Sequence, residues 1–154
     1  MYKKILVCLD GSDLAEKVLP YAIEEASHAN SELVLFMAIS EPYFFSLALP
    51  GMPSVPIDTT RTEKLIIQEE KEARGYLNTV ADKIHAEKKL NVSFDTRQGT
   101  PGPVIVEYCA DQGIELIAIA THGRTGPGRV VLGSVADYVI RNSGLPILLI
   151  RPKK

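Results

Sequence analysis

The sequence predicts an α/β domain on an open five-stranded parallel sheet, strand order 3-2-1-4-5, with helices on both faces. Three observations lead there. Short apolar runs recur at residues 5–9, 33–39, 114–120 (broken only by Glu115) and 147–150, as strands covered on both faces require. Longer stretches with helical spacing separate them, the alternation of a parallel sheet with crossover helices. Finally, Val92, Phe94 and Thr96 alternate with Ser93, Asp95 and Arg97, so this third strand has a polar face and belongs at an edge. The run 33–39 does not alternate and belongs inside. The flavodoxin order 2-1-3-4-5 would exchange those two placements.

Each helix has its own signals. The first spans about residues 13–28, with Asp13 and Glu16 spaced as a capping box. Its stripe is Ala15, Val18, Leu19, Ala22, Ile23 and Ala26, and Pro20 must kink or restart it. The second spans about 62–87, with Ala73, Leu77, Val80 and Ile84 inward. The third begins at Thr100 with Pro101 in its first turn and buries Val104, Ile105, Tyr108 and Cys109. The fourth begins near Ser134 and stops at Asn142-Ser143-Gly144. Between the second strand and second helix, Pro42, Pro50, Pro53, Pro56 and Gly51 forbid a regular element. The apolar Tyr43, Phe44, Phe45, Leu47 and Leu49 there could cover a ligand crevice, a dimer surface or only local packing.

Composition narrows the function. A chain of 154 residues fits one domain spanning 1–154. Lys plus Arg is 17 against 19 Asp plus Glu, a net charge of −2, which argues against a partner nucleic acid held by bulk charge. No apolar run reaches the roughly 18 residues of a membrane span, so no membrane insertion is expected. The N-terminal apolar stretch ends at Asp10, too early for a signal-peptide core. Cys8 and Cys109 lie far apart in apolar segments and read as reduced, buried thiols of a cytoplasmic protein. His28 and His85 form no metal-ligand spacing.

In the predicted order, winding reverses between the first and fourth strands, and ligands bind beyond the carboxyl ends of strands at such a switch point. The two loops there are Asp10-Gly11-Ser12 and the segment after Ala120. The latter carries Gly123, Gly126, Gly128 and Gly133 and leads into the helix at Ser134. Glycines let backbone N–H groups approach an anion, and a helix start adds free N–H groups and a positive dipole end. This suits a phosphate, with Asp10, Gly123, Gly133 and Ser134 as the residues singled out; a capped surface loop is the plainer alternative. It is neither common phosphate loop. A Walker loop needs Gly-Lys, which the chain lacks, and a Rossmann fingerprint needs a glycine where Val131 stands.

The segment resembles the nucleotide-binding signature of the universal stress protein family: Gly, two residues, Gly, nine residues, Gly, then Ser or Thr. Gly123, nine residues and Gly133-Ser134 match, while Ala120 replaces the first glycine. The opening 3–12 and the closing 146–151 are similar to the family too, so the likeness spans the chain. It implies ATP, with AMP as second choice, and Mg2+ or Mn2+ bridging phosphates. Cys8 and Ala38 would meet the nucleotide through their main chains, and Asp10 would contact ribose or adenine or help hold a metal. Ala120, Thr121, His122, Gly123, Arg124, Thr125 and Gly126 would wrap ribose and phosphates, and Ser134, Val135 and Ala136 would hold the phosphates at the helix start. The expected function is a cytoplasmic regulatory switch in stress response, with nucleotide ordering residues 121–132 and altering a partner surface. A slow ATPase and a nucleotide-free interaction module are the alternatives. A phosphoacceptor receiver fits poorly, because its aspartate ends the third strand, where Arg97-Gln98-Gly99 stands here. The last strand, 147–151, has an apolar edge that invites pairing with a second copy, so a homodimer is expected, unless Pro146 and the residues from Arg151 onward block it.

Overall fold

The computed structural model describes residues 1–40, 59–121, 124–126 and 129–151. The sheet strands are β1 (Lys4–Cys8), β2 (Glu32–Ile39), β3 (Val92–Gln98), β4 (Leu116–Ala120) and β7 (Ile147–Ile150). They are all parallel, in the order β3-β2-β1-β4-β7, which is the predicted 3-2-1-4-5. A separate antiparallel pair, β5 (Arg124–Gly126) and β6 (Arg129–Val131), makes the glycine-rich segment a short ribbon. The helices are α1 (Asp13–Glu16), α2 (Leu19–Ala29), α3 (Thr59–Lys88), α4 (Pro101–Gln112) and α5 (Ser134–Asn142). The proline-rich segment, residues 41–58, lies outside the described residues.

Strand alternation sorts the core into two layers. Ile5, Val7, Leu33, Leu35, Leu116 and Ala118 face α1, α2 and α3. Leu6, Cys8, Val34, Phe36, Ile117 and Ile119 face α4 and α5. The three inner strands are thus apolar on both sides, as their continuous runs required. Pro20 does restart the first helix: α1 ends at Glu16, and α2 begins at Leu19 with the proline in its first turn, where no N–H is missed. The capping differs from expectation by one residue. Ser12, not Asp13, is the N-cap of α1, and its Oγ accepts from the Ala15 N–H at 3.1 Å.

The two sheet edges differ in character. On β3, Asp95 pairs with Arg74 at 3.6 Å, and Arg97 pairs with Asp111 at 2.8 Å while lying over the Tyr108 ring. Such charges discourage further strand pairing. The β7 edge carries only Ile147, Leu148, Leu149 and Ile150, all half-buried.

Candidate functional site

A cavity of about 280 Å³ opens at the carboxyl ends of β1 and β4. That is near the lower end of the roughly 300–1,000 Å³ usual for small-molecule pockets. Its walls come from five directions: Cys8, Leu9 and Asp10 after β1; Leu14 and Ala15 of α1; Phe36 and Ala38 of β2; Pro101 and Ile105 of α4; and Ile119, Ala120 and Thr121 leading to Gly133, Ser134, Val135 and Ala136. The first strand's carboxylate and the head of the last helix therefore share one site, as the switch-point reasoning required.

Asp10 follows β1 in a tight turn with Gly11 at φ +78°. Its Oδ1 accepts from the Ser12 N–H at 2.9 Å and from the Ser12 hydroxyl at 2.6 Å. Ser12 in turn caps α1, so a relay from Ala15 through Ser12 fixes the carboxylate. Both bonds use Oδ1, and Oδ2 points no bond to another described residue. The turn-capping role and a ligand role are thus compatible at this residue. Glu16 extends the support: the Tyr76 hydroxyl of α3 donates to it at 2.8 Å. Burial and that acidic neighbour push the Tyr76 phenol well above its ordinary value.

Three helix heads reach the cavity; at α1 the Ala15 N–H is already taken by Ser12, and the other two differ as anion sites. The head of α4 reads Pro101-Gly102-Pro103, and each proline lacks an N–H. The head of α5 reads Ser134-Val135-Ala136 and keeps all three. Its N-cap, Gly133, supplies no side-chain acceptor to satisfy them. The donors concentrate at α5, beside Thr121, while the α4 side is apolar.

Ala120 bears on the altered signature. It closes β4, pairs in register with Ile150, and is not among the described residues with positive φ. Its conformation is extended backbone that alanine adopts without strain, so the missing glycine has no conformational cost. Cys8 lines the cavity but is buried, and desolvation with Cys109 nearby pushes its thiol far up, out of reach of thiolate chemistry.

Of the residues singled out from sequence, Cys8, Asp10, Ala38, Ala120, Thr121, Gly133, Ser134, Val135 and Ala136 all line this cavity. Arg124, Thr125 and Gly126 form β5, while His122 and Gly123 lie outside the described residues. Sequence reasoning missed Leu9, Leu14, Ala15, Phe36, Pro101, Ile105 and Ile119. The one available signal was parity: Phe36 shares a strand face with Ala38, one step deeper. Among the described residues, no group of three or more His, Cys, Asp or Glu side chains could hold a metal, and no helix is long and apolar enough to cross a membrane.

Comparison with known proteins agrees with this architecture. Universal stress protein MJ0531 of Methanocaldococcus jannaschii is 31% identical over 155 residues, covering 100% of this chain and 85% of that protein. The solved structure of universal stress protein UspA from Lactobacillus plantarum matches at TM-score 0.78 and 22% identity, covering 97% of this chain and 98% of its own. A universal stress protein family protein from Arabidopsis thaliana, with AMP bound, matches at TM-score 0.63 and 13% identity, covering 98% and 92%. Both structural matches show a shared fold. A model of the universal stress protein family matches residues 1–151, and with the sheet order and the whole-chain relative this establishes that the chain belongs to that family.

Proposed function

We propose that this protein binds an adenine nucleotide, ATP first and AMP second, and acts as a nucleotide-dependent regulatory protein in stress response. The observation that carries the reading is the convergence of the Asp10 carboxylate and the α5 head on one largely apolar cavity. Charge orients the ligand. Phosphate belongs at the three first-turn amides and the positive dipole end of α5. Asp10 repels phosphate and accepts hydrogen bonds, so ribose hydroxyls belong at its Oδ2. The base then rests against Phe36, Ala38, Pro101 and Ile105. The AMP-bound Arabidopsis relative supports an adenine ligand. Mg2+ or Mn2+ fits this site as a phosphate-bound ion that keeps most of its waters, with Asp10 as the one carboxylate among the described cavity residues.

Turnover is expected to be slow or absent. The chain has no Gly-Lys pair to supply a Walker lysine, and Asp10 is the only charged side chain among the described cavity residues, so it is the one candidate base they offer for phosphoryl transfer. Contact of the phosphates with the 121–132 segment instead alters the surface shown to a protein partner. The test is mass spectrometry of the small molecule that co-purifies, with calorimetric titration of AMP, ATP and GMP. Adenine nucleotides should bind and GMP should not. No retained nucleotide and no thermal shift in millimolar ATP would sink the reading in favour of a nucleotide-free interaction module.

We also propose a cytoplasmic homodimer joined through residues 147–151. Along the β4–β7 pairing, the carbonyls of Pro146, just before β7, and Ile150 accept from the N–H groups of Ile117 and of Thr121, just after β4. By the two-residue period, Ile147 and Leu149 turn their N–H and C=O groups to the open edge. That edge carries no charge, unlike β3. Leu149→Pro removes an outward N–H and leaves the β4 ladder intact. It should convert the dimer to monomer in sedimentation; a monomeric wild type refutes the proposal.

A further inference from the structure

We infer that Thr121 is the positioning residue for phosphate recognition: its hydroxyl grips the Gly133 amide and so fixes where the first turn of α5 aims its remaining N–H groups. The inference rests on the nucleotide reading above and names the residue that sets its phosphate end. Thr121 is 3% exposed, one of two buried polar residues among those described. The Gly133 N–H donates to its Oγ at 3.0 Å. Its own backbone N–H donates to the Ile150 carbonyl at 2.9 Å. Thr121 is therefore fastened to β7 by main chain and to α5 by side chain. β5 and β6 lie in the chain between the two partners of this bond.

Two consequences follow from hydrogen-bond inventory. The Gly133 amide is spent on Thr121, so a phosphate meets Ser134, Val135 and Ala136, whose N–H groups have no acceptor four residues back within the helix. A hydroxyl has one proton and two lone pairs, so accepting from Gly133 leaves the Thr121 proton free to be donated in turn. A methyl in place of that hydroxyl fills the same space but leaves the half-buried Gly133 amide without its acceptor. At 3.0 Å the Gly133 N–H meets Oγ directly, with no bridging water between them.

Thr121→Val and Thr121→Ser separate positioning from simple space-filling. Amide exchange on ligand-free protein should show the Gly133 amide losing protection about tenfold in Thr121→Val, the equivalent of one hydrogen bond. Thr121→Ser should restore it, with β1 amides unchanged throughout. In titrations, the ratio of AMP to adenosine affinity should fall about fivefold or more in Thr121→Val, with adenosine itself within about twofold of wild type, and Thr121→Ser should recover the ratio. Unchanged Gly133 exchange, or equal weakening of AMP and adenosine, overturns the inference while wild-type binding still stands. Wild-type protein that binds neither ligand overturns the nucleotide reading, and this inference with it.

Discussion

Gly133→Asp puts a carboxylate where a phosphate would sit, and the structure lets its two effects be separated. Gly133 has φ −60° and ψ 150°, the extended geometry of an N-cap, so an L-residue fits without strain. The nearest atom to its added Cβ is Thr121 Oγ at 3.7 Å, an ordinary contact. Aspartate is a strong N-cap and exceeds glycine there by a few tenths of a kcal/mol. At roughly 2–4 °C per kcal/mol for a chain of this size, the melting temperature should hold steady or rise by about a degree. Binding should behave oppositely. Like charges about 4 Å apart repel by about 4 kcal/mol at the effective dielectric of a protein surface and about 1 kcal/mol in bulk water. The cavity rim lies between those limits, so a loss of about 2–3 kcal/mol, roughly thirty- to 150-fold in AMP affinity, is expected. Calorimetry and thermal melts on the same preparation read both. A variant that stays folded and binds AMP within about threefold of wild type refutes the phosphate assignment. ATP hydrolysis that survives in the variant is contamination, whereas hydrolysis that disappears supports a slow ATPase.

Other substitutions test single links of the reasoning. Ala120→Gly should lower stability by about 0.5–1 kcal/mol, because the position is regular strand, and change AMP affinity by less than about threefold; a large gain in affinity would show that the missing glycine matters. Gly75→Ala, mid-helix in α3 with nothing within 4 Å of the added Cβ, should raise stability by about 0.5–1 kcal/mol. Gly102→Ala should go the other way, since its Cβ would lie 2.8 Å from Tyr138 ring atoms and the roughly 1–3 kcal/mol of overpacking outweighs the helix gain; equal melting shifts for the two glycines would contradict this. Burial pushes the Cys109 thiol from 9.0 up to about 11, so the fold holds a proton that the unfolded chain releases. This thiol's contribution is full below pH 9 and should fall by on the order of 2 kcal/mol as pH rises toward 11, beside the losses that Cys8 and Tyr76 add, so Cys109→Ala should make the decline in melts across this range shallower by that share.

The sheet order was legible because the polar residues in Val92–Gln98 mark a strand that is half-buried along nearly its whole length, as at an edge, whereas the apolar run in Glu32–Ile39 marks one that is mostly buried. The Asp10 and Ser134 loops followed from topology, since winding reverses only there. The capping residue of α1 was not legible. Asp10, Ser12 and Asp13 can all cap, and only the end of β1 decides that Asp10 takes the Ser12 amide while Ser12 takes Ala15. Phe36, Ile105 and Pro101 were missed for another reason. An apolar side chain in a strand or helix reads the same whether it meets the core or a ligand. The β5–β6 ribbon is too short, at three residues a strand, to leave a periodic trace.

The close approach at Gly102 has a bearing on how such a molecule could signal. The α4 backbone sits so near the Tyr138 side chain that no methyl group fits between them. Close-packed interiors resist continuous deformation, so the α5 helix is braced like a post set in stone. On the proposed nucleotide reading, a ligand would meet a fixed anchor at α5, and the change it raises is expected in the β5–β6 ribbon instead.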